Sequence, residues 1–202
     1  MDNPILVVTL TLAGYLVGSI PFGVVASKAL GAPDPRTAGS RNVGFTNVLR
    51  VGGKKAGVLT LAGDMGKGWL VAWSAGHWLT DEVSILIVAL ASILGHLYSV
   101  FLAFHGGKGV ATALGAVMGV APAIGFSMVA MWLMAVWLWR YSSGGALAAF
   151  GFFPLLSLVF HRSHIFLGFA CVVTALISFR HRENVVRLWS GTESRIGQTT
   201  KS

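Results

Sequence analysis

Four long stretches without a charged residue constrain the fold of this chain more than any other feature. They cover residues 3–27, 83–104, 109–139 and 141–160. A helix needs about 20 apolar residues to cross a bilayer core roughly 30 Å thick, and several of these stretches reach that length. The pattern therefore predicts an all-α polytopic membrane helix bundle, in which residues 1–202 form a single integral membrane domain.

The charge and cysteine content narrow the possible functions. The net charge is +8, but the basic residues flank the apolar stretches, where membrane orientation and anionic ligands explain them better than nucleic acid does. Cys171 is the only cysteine, so a disulfide or a thiolate metal site within one chain is impossible. We expect a monomer with no nucleic-acid partner, no metal and no cofactor.

The number of spans depends on the apolar run at 109–139. The other spans are predicted at residues 5–26, 56–79, 83–104, 141–160 and 165–179. As one helix, the 31 residues of this run would reach about 46 Å, too long for one span and short for two. Pro122 lies inside the run and would break or kink a helix.

The distribution of Lys and Arg decides between six and seven spans, because these residues concentrate on the cytoplasmic side. Six spans place eight basic residues inside and six outside. If Pro122 separates two short helices, thirteen lie inside and only Arg162 lies outside. We therefore predict seven transmembrane helices, with the N-terminus outside and the C-terminus cytoplasmic. Residues 182–202 would form a cytoplasmic tail, part of it an interfacial helix.

Three polar segments fall on the cytoplasmic side of this arrangement. The first, DPRTAGSRNVGFTNVLRVGGKKAG at residues 34–57, combines glycines and five basic residues with small polar side chains. These side chains are Ser40, Asn42, Thr46 and Asn47. Amides, hydroxyls and cations of this kind can bind an anion. The alternative is a positive-inside loop without a ligand, which would not need the clustered hydroxyls and amides.

The second polar segment, HGGKGVAT at residues 105–112, opens the predicted short helix at 109–121. Its glycines permit close approach of a ligand, the helix N-terminus favours an anion, and Lys108 adds a positive charge. The segment is not a Walker A loop, because Lys108 is followed by Gly109 rather than by Ser or Thr.

The third polar segment is the tail at 179–197, where His181 and Asn184 share a helical face. Histidine is the usual proton shuttle near neutral pH, and asparagine can donate to a developing oxyanion. Within a predicted span, Asp64 and Lys67 are also three residues apart. We expect these two to form a structural ion pair, as charges inside a membrane generally must.

Together the segments resemble the bacterial membrane acyl-phosphate:glycerol-3-phosphate acyltransferase family (PlsY). The resemblance covers nearly the whole chain. The matching stretches are GSIPFG at 18–23, GSRNVGFTNVLR at 39–50, GKKAG at 53–57, GHLYSVF at 95–101, GGKGVATALG at 106–115 and HRENVVRLWSGTESRIG at 181–197.

The resemblance implies transfer of a fatty acyl group from acyl phosphate to the sn-1 hydroxyl of glycerol 3-phosphate. The products would be lysophosphatidic acid and inorganic phosphate, the first step of phospholipid biosynthesis. It further implies a place in the bacterial cytoplasmic (inner) membrane, with membrane lipid around the helices and the active site facing the cytoplasm.

Particular residues match the family's functional positions. Ser40 and Arg50 match an essential serine and arginine, His181 and Asn184 a catalytically important pair, and Glu193 a glutamate important for integrity. The glycine motif, which is taken to bind glycerol phosphate, corresponds to Gly106, Gly107 and Gly109. The phosphate contacts are expected from Ser40, Asn42, Asn47, Arg50, Lys108, Thr112 and the glycine amides. The sequence departs from the family at three positions: Arg41 replaces a usual glycine, Phe45 an alanine, and His105 a common lysine.

Two questions stay open at this point. The base that accepts the hydroxyl proton is either His181 or a substrate phosphate oxygen. The alternative functions are a transporter or channel for a phosphorylated anion, whose half-helix and basic loops would line a pathway, and a non-catalytic membrane scaffold.

Overall fold

The computed structural model describes residues 2–197, which form ten α-helices, one short 3₁₀ helix and no β-strand. The helices are α1 (Pro4–Ser19), α2 (Phe22–Ala29), α3 (Phe45–Trp78), α4 (Glu82–Leu97), the 3₁₀ helix (Val100–Leu102), α5 (Val110–Val120), α6 (Pro122–Trp139), α7 (Ser142–Gly151), α8 (Phe153–Phe160), α9 (His164–Arg180) and α10 (Arg182–Trp189). The all-α class is confirmed. Lys201, one of the predicted cytoplasmic charges, lies outside the described residues, as does the end of the predicted tail.

Three segments of the described chain are long and apolar enough to cross a membrane: Glu82–Leu102, Pro122–Trp139 and Ser142–Phe160. Two bent pairs raise the number to five, namely α1 with α2, bent by 44°, and α9 with α10, bent by 61°. The short apolar helix α5 comes in addition. By helix length and composition, the seven predicted spans and their orientation are not established and stay predictions.

The helix boundaries agree with the sequence at one break and differ at another. The predicted break at Pro122 is confirmed, since α5 ends at Val120 and α6 begins at the proline. At 11 residues, α5 extends only about 16 Å. The prediction of a loop continuing to residue 57 was wrong, because α3 already begins at Phe45. Asn42 Oδ1 accepts a hydrogen bond from the Gly44 amide before this helix, and Gly53, at φ 79°, absorbs a kink inside it.

The chain divides into two compact units, the first ending at Gly125 and the second beginning at Phe126. In the first unit, α3 packs against α2 and α5, and α1 packs against α4. Glycines allow the helix axes to approach closely: a methyl group on Gly68 would collide with the Thr112 carbonyl, and one on Gly115 with the Met65 carbonyl. Small residues at helix contacts are typical of membrane bundles.

In the second unit, α9 packs against α7 and α8. Its core contains four phenylalanines with ring centroids 5.8–6.3 Å apart, most of them edge to face. These residues are Phe150, Phe153, Phe166 and Phe169, all buried. Aromatic edge-to-face packing gives directional contacts in addition to apolar burial. This core packs against the N-terminal half of α9, and His181 lies at the other end of that helix.

Candidate active site

Asn47 holds the first polar loop together. The side chain is 2% exposed, and its Nδ2 donates to the carbonyls of Pro35, Ala38 and Asn42 at 2.9–3.1 Å. Its Oδ1 accepts from the amide of Ser40 at 2.8 Å. Both hydrogens and the carbonyl oxygen of this amide are thus directed at the loop backbone. Asn47 therefore holds the loop in its conformation through hydrogen bonds to the backbone.

Ser40 and Arg50 are more accessible than Asn47. Ser40 is exposed and lies between Gly39 and Arg41, which both have positive φ values, 61° and 57°. Arg50 follows Asn47 by three residues on α3, so the two share a helical face. Arg50 is partly buried and forms no ion pair with any carboxylate that the structure describes. A hydroxyl on the loop that Asn47 shapes and a cation on the first turns of α3 are therefore accessible.

The glycine loop after α4 is fixed through its own amides. The Gly106 amide donates to the Leu97 carbonyl at 3.2 Å, and the Gly107 amide donates to the His96 carbonyl at 3.0 Å. These two N–H groups satisfy the C-terminal carbonyls of α4, so they contribute to the site by holding the loop. The side chains cannot be larger here, because a methyl group on Gly107 would collide with Nε2 of His96.

The N-terminus of α5 follows the loop directly. Gly109 is the N-cap residue with φ 83°, a left-handed conformation that favours glycine. The first amides of α5, at residues 110–112, have no acceptor within the helix. Thr112 is fully buried in this turn, and its Oγ1 has no hydrogen-bond partner among the described residues. Lys108, beside these groups, is partly buried.

A buried charged cluster lies beneath the glycine loop. Lys67 Nζ is 2.8 Å from Asp64 Oδ1 and donates to the Ile20 carbonyl at 2.7 Å. His96 Nδ1 is 3.4 Å from the same carboxylate oxygen. Each of the three side chains is at most 5% exposed. The pair expected from the spacing of Asp64 and Lys67 is thus extended by a histidine that touches Gly107.

In the second unit, His181 follows the last residue of α9 and is 3% exposed. Its Nδ1 is 2.8 Å from the Ile177 carbonyl. Because a carbonyl only accepts, Nδ1 carries the proton when the ring is neutral, and Nε2 then has the lone pair. The backbone of α9 therefore selects the tautomer in which Nε2 can act as a base.

Glu193 accepts three hydrogen bonds, one of them from Asn184. Its Oε1 accepts from Asn184 Nδ2 at 2.6 Å and from Ser143 Oγ at 2.7 Å, and its Oε2 accepts from Arg187 Nε at 2.8 Å. Burial disfavours the charged carboxylate, but these hydrogen bonds outweigh it and hold the pKa of Glu193 below its ordinary value. An ionised Glu193 thereby fixes the orientation of the Asn184 amide, since an anion can accept only from its Nδ2 side.

Sequence reasoning missed one partner and one residue of these clusters. The sequence predicts His96 as a hydrogen-bonded interhelical histidine rather than a catalytic one, but it does not identify Asp64 as the partner. Ser143, in a run of small residues at the start of α7, gives no signal at all before the fold brings it to Glu193. Ser40, Asn47, Arg50 and the glycine loop lie in the first unit, and His181, Asn184 and Glu193 lie in the second. No group of three or more potential metal-ligating side chains occurs within residues 2–197.

Comparison with known proteins places this chain in a family. Residues 8–191 match the family model described as glycerol-3-phosphate acyltransferase. A glycerol-3-phosphate acyltransferase of Burkholderia ambifaria is 48% identical over 193 residues, which cover 95% of this chain and 91% of the relative. That of Cupriavidus taiwanensis is 47% identical over 195 residues, covering 94% and 96%.

Solved structures give the same result. The structure of PlsY (YgiH), an integral membrane glycerol 3-phosphate acyltransferase, in its glycerol 3-phosphate form matches with a TM-score of 0.90 and 43% identity, over 95% of this chain and 96% of that one. Its lysophosphatidic acid form matches with a TM-score of 0.87 and 41% identity, over 95% of both chains. With the family model and these relatives in agreement, this chain belongs to the glycerol-3-phosphate acyltransferase family of integral membrane proteins.

Proposed function

We propose that this chain transfers a fatty acyl group from acyl phosphate to the sn-1 hydroxyl of glycerol 3-phosphate. The observation that carries the proposal is the hydrogen bond from His181 Nδ1 to the Ile177 carbonyl, which leaves Nε2 as a base, in a chain of the glycerol-3-phosphate acyltransferase family. Membership in this family disfavours the transporter and scaffold alternatives.

The reaction forms one ester bond and breaks one acyl–oxygen bond. The substrate hydroxyl attacks the carbonyl carbon of acyl phosphate while His181 Nε2 accepts its proton. The tetrahedral oxyanion collapses, and the bond to the phosphate oxygen breaks, releasing inorganic phosphate and lysophosphatidic acid. Asn184 donates from Nδ2 to the developing oxyanion, and Glu193 fixes the orientation of its amide. An acyl phosphate is already activated, so the step requires neither a metal nor a covalent nucleophile.

The phosphate groups are assigned to the polar segments of the first unit. Arg50 and Lys108 supply positive charge, and Ser40 and the first amides of α5 donate hydrogen bonds. Asn47 acts through the loop that it shapes, since its amide is directed at four backbone groups. Asn42 supports the same loop by accepting from the Gly44 amide.

The assay that tests this function uses purified protein, acyl phosphate and glycerol 3-phosphate in detergent or a lipid mesophase. We expect release of inorganic phosphate and formation of lysophosphatidic acid, with unchanged rates in the presence of a metal chelator. Acyl-CoA should not replace acyl phosphate, because no histidine in the chain has an aspartate five residues on, as the acyl-CoA-dependent enzymes have. Equal rates with acyl-CoA would show that acyl phosphate is not the specific donor, although the chain would still be an acyltransferase.

The base is tested by the pH dependence of kcat. His181→Gln removes the ionisable ring and should abolish the acidic limb of the profile, because protonated Nε2 cannot accept a proton. If the limb persists in the variant, a substrate phosphate oxygen is the base and His181 has another role. Asn184→Ala should lower kcat at saturating substrate without a matching rise in KM.

The proposed topology has seven spans, with the active site facing the cytoplasm of the bacterial inner membrane. In this arrangement α1–α2, α3, α4, α5, α6, α7–α8 and α9 cross the bilayer in turn, and the chain acts as a monomer. Single cysteines in a background lacking Cys171 should react with an impermeant reagent in intact cells at position 82 or 163, and not at 40 or 108. Labelling at 108 would refute the topology.

A further inference from the structure

A cavity of about 440 Å³ lies beside the glycine loop in the first unit. Its basic lining residues are Arg36, Arg41 and His105, and none of the lining residues is acidic. The rest of the wall is apolar or backbone: Val43, Phe101, Leu102, Ala103 and Gly106. The cavity is therefore amphipathic, with one cationic and one apolar wall, and it reaches the loop that Gly106 begins.

The cationic wall has capacity for an added anion. Asp34 accepts from Nε and Nη2 of Arg36 at 2.6–3.1 Å, which leaves Nη1 of this guanidinium. Arg41 forms no ion pair with any carboxylate in the described part of the chain. His105 donates from Nδ1 to the Ala103 carbonyl at 2.7 Å, so its Nε2 remains for a ligand. An anion bound at this wall would gain a charge-assisted hydrogen bond from the Arg41 guanidinium.

The backbone conformation at Arg41 would suit glycine better, which indicates that the arginine side chain has a role. Arg41 has φ 57°, a left-handed conformation that is strained for an ordinary residue and nearly free of strain for glycine. Ala103 and Phe104, on the opposite loop, also have positive φ values, 48° and 64°. Strained residues of this kind cluster at ligand sites. An arginine where the backbone favours glycine places a charge in this cavity at a local cost.

The apolar wall identifies the class of ligand. Phe101, which lines this wall, is 60% exposed and lies at the end of a predicted transmembrane segment. We propose that this cavity binds the phosphate group of an acyl-chain amphiphile, the acyl phosphate donor, with its first methylenes along Phe101 and Leu102. Glycerol 3-phosphate has no apolar part that could use this wall. The assignment rests on the proposed function, because that function supplies a donor of this kind.

Arg41→Gly is the decisive variant, since it removes the charge and relieves the backbone strain together. We expect the KM for acyl phosphate to rise about tenfold or more, as for loss of one charge-assisted hydrogen bond. The KM for glycerol 3-phosphate should stay within twofold, and the melting temperature should not fall. Arg162→Gly is the matched control: Arg162 has φ 56°, is exposed, and does not line this cavity, so this variant should leave both KM values unchanged.

A binding measurement separates this inference from the proposed function. Dodecyl phosphonate, an unreactive amphiphile, should raise the melting temperature of the wild type, and Arg41→Gly should lose most of this shift. Inorganic phosphate at equal concentration should give little shift in either protein. If the wild type fails to turn over acyl phosphate but keeps this Arg41-dependent shift, the proposed function is wrong and the anion site stands.

Other outcomes overturn the inference. A higher KM for glycerol 3-phosphate alone would assign the cavity to the acceptor. Weaker inhibition by lysophosphatidic acid with an unchanged donor KM would assign it to the product. Loss of an activity dependence on phosphatidylglycerol in nanodiscs, with an unchanged donor KM, would assign it to a membrane lipid. If no measured quantity changes in Arg41→Gly, the cavity binds no phosphate amphiphile.

Discussion

Replacing Glu193 by glutamine tests whether its charge orients Asn184. The carboxylate accepts from Asn184, Ser143 and Arg187 at 2.6–2.8 Å, and its side chain is 10% exposed. Glutamine keeps the shape of the side chain, but its amide nitrogen must face either Arg187 or the pair of Asn184 and Ser143. In either orientation, an N–H donor of the glutamine faces another hydrogen-bond donor, and at least one hydrogen bond is lost. A hydrogen bond to a charged group contributes about 1.5–3 kcal/mol. We therefore expect a loss of about 2–3 kcal/mol.

That loss corresponds to a fall in melting temperature of roughly 4–12 °C for a chain of this length. Melting should be recorded in one detergent at one scan rate, because membrane proteins often unfold irreversibly. Glu183→Gln is the matched control. Glu183 also faces Arg187, but at 3.9 Å and with its side chain 74% exposed, so its loss should cost less than about 0.5 kcal/mol.

The pH dependence gives a second criterion for Glu193. The pKa of the folded carboxyl lies below its ordinary value of 4.5, so its stabilisation is complete above pH 4.5 and is lost as the pH falls through the folded pKa. The gap in melting temperature between the wild type and Glu193→Gln should be constant from pH 5 to 8 and shrink below 4.5. Equal melting of the Glu193 and Glu183 variants, or a gap that persists at low pH, would refute the reasoning.

Three further substitutions test the first unit. Gly107→Ala should destabilise the protein by about 1–3 kcal/mol and reduce activity, because its methyl group meets the buried His96 ring. Gly66→Ala is the control, since the added methyl has open space around it. In a thermal melt and a phosphate-release assay, the control should change neither stability nor activity. Asn47→Ala should lower the stability by about 1–3 kcal/mol and raise the KM for glycerol 3-phosphate, since the loop loses the hydrogen bonds that hold it. An unchanged KM would show that the loop does not bind this substrate. Lys108→Ala should raise the same KM about tenfold without an equal fall in kcat.

The parts of the fold that were predictable from sequence depend on local composition. Long apolar runs gave the all-α class, and Pro122 gave the division between α5 and α6 because proline removes a backbone donor wherever it stands. The start of α3 at Phe45 was missed, because a glycine- and Asn-rich segment has no local helix signal. Here the tertiary contact of the buried Val48 and the bonds of Asn47 with the loop outweigh local propensity.

The sequence names the residues of the candidate site, but it does not show what each side chain contacts. Asn47 and Ser40 read alike in the sequence as polar groups of an anion-binding loop, yet one is buried against four backbone groups and the other is exposed. The same ambiguity holds for Gly106 and Gly107. Glycine at such a position either offers its amide to a ligand or allows another atom to come close, and composition does not distinguish the two. Their amides donate to the end of α4, and Gly107 makes room for His96, so this part of the proposed phosphate site rests on Lys108 and the first turn of α5.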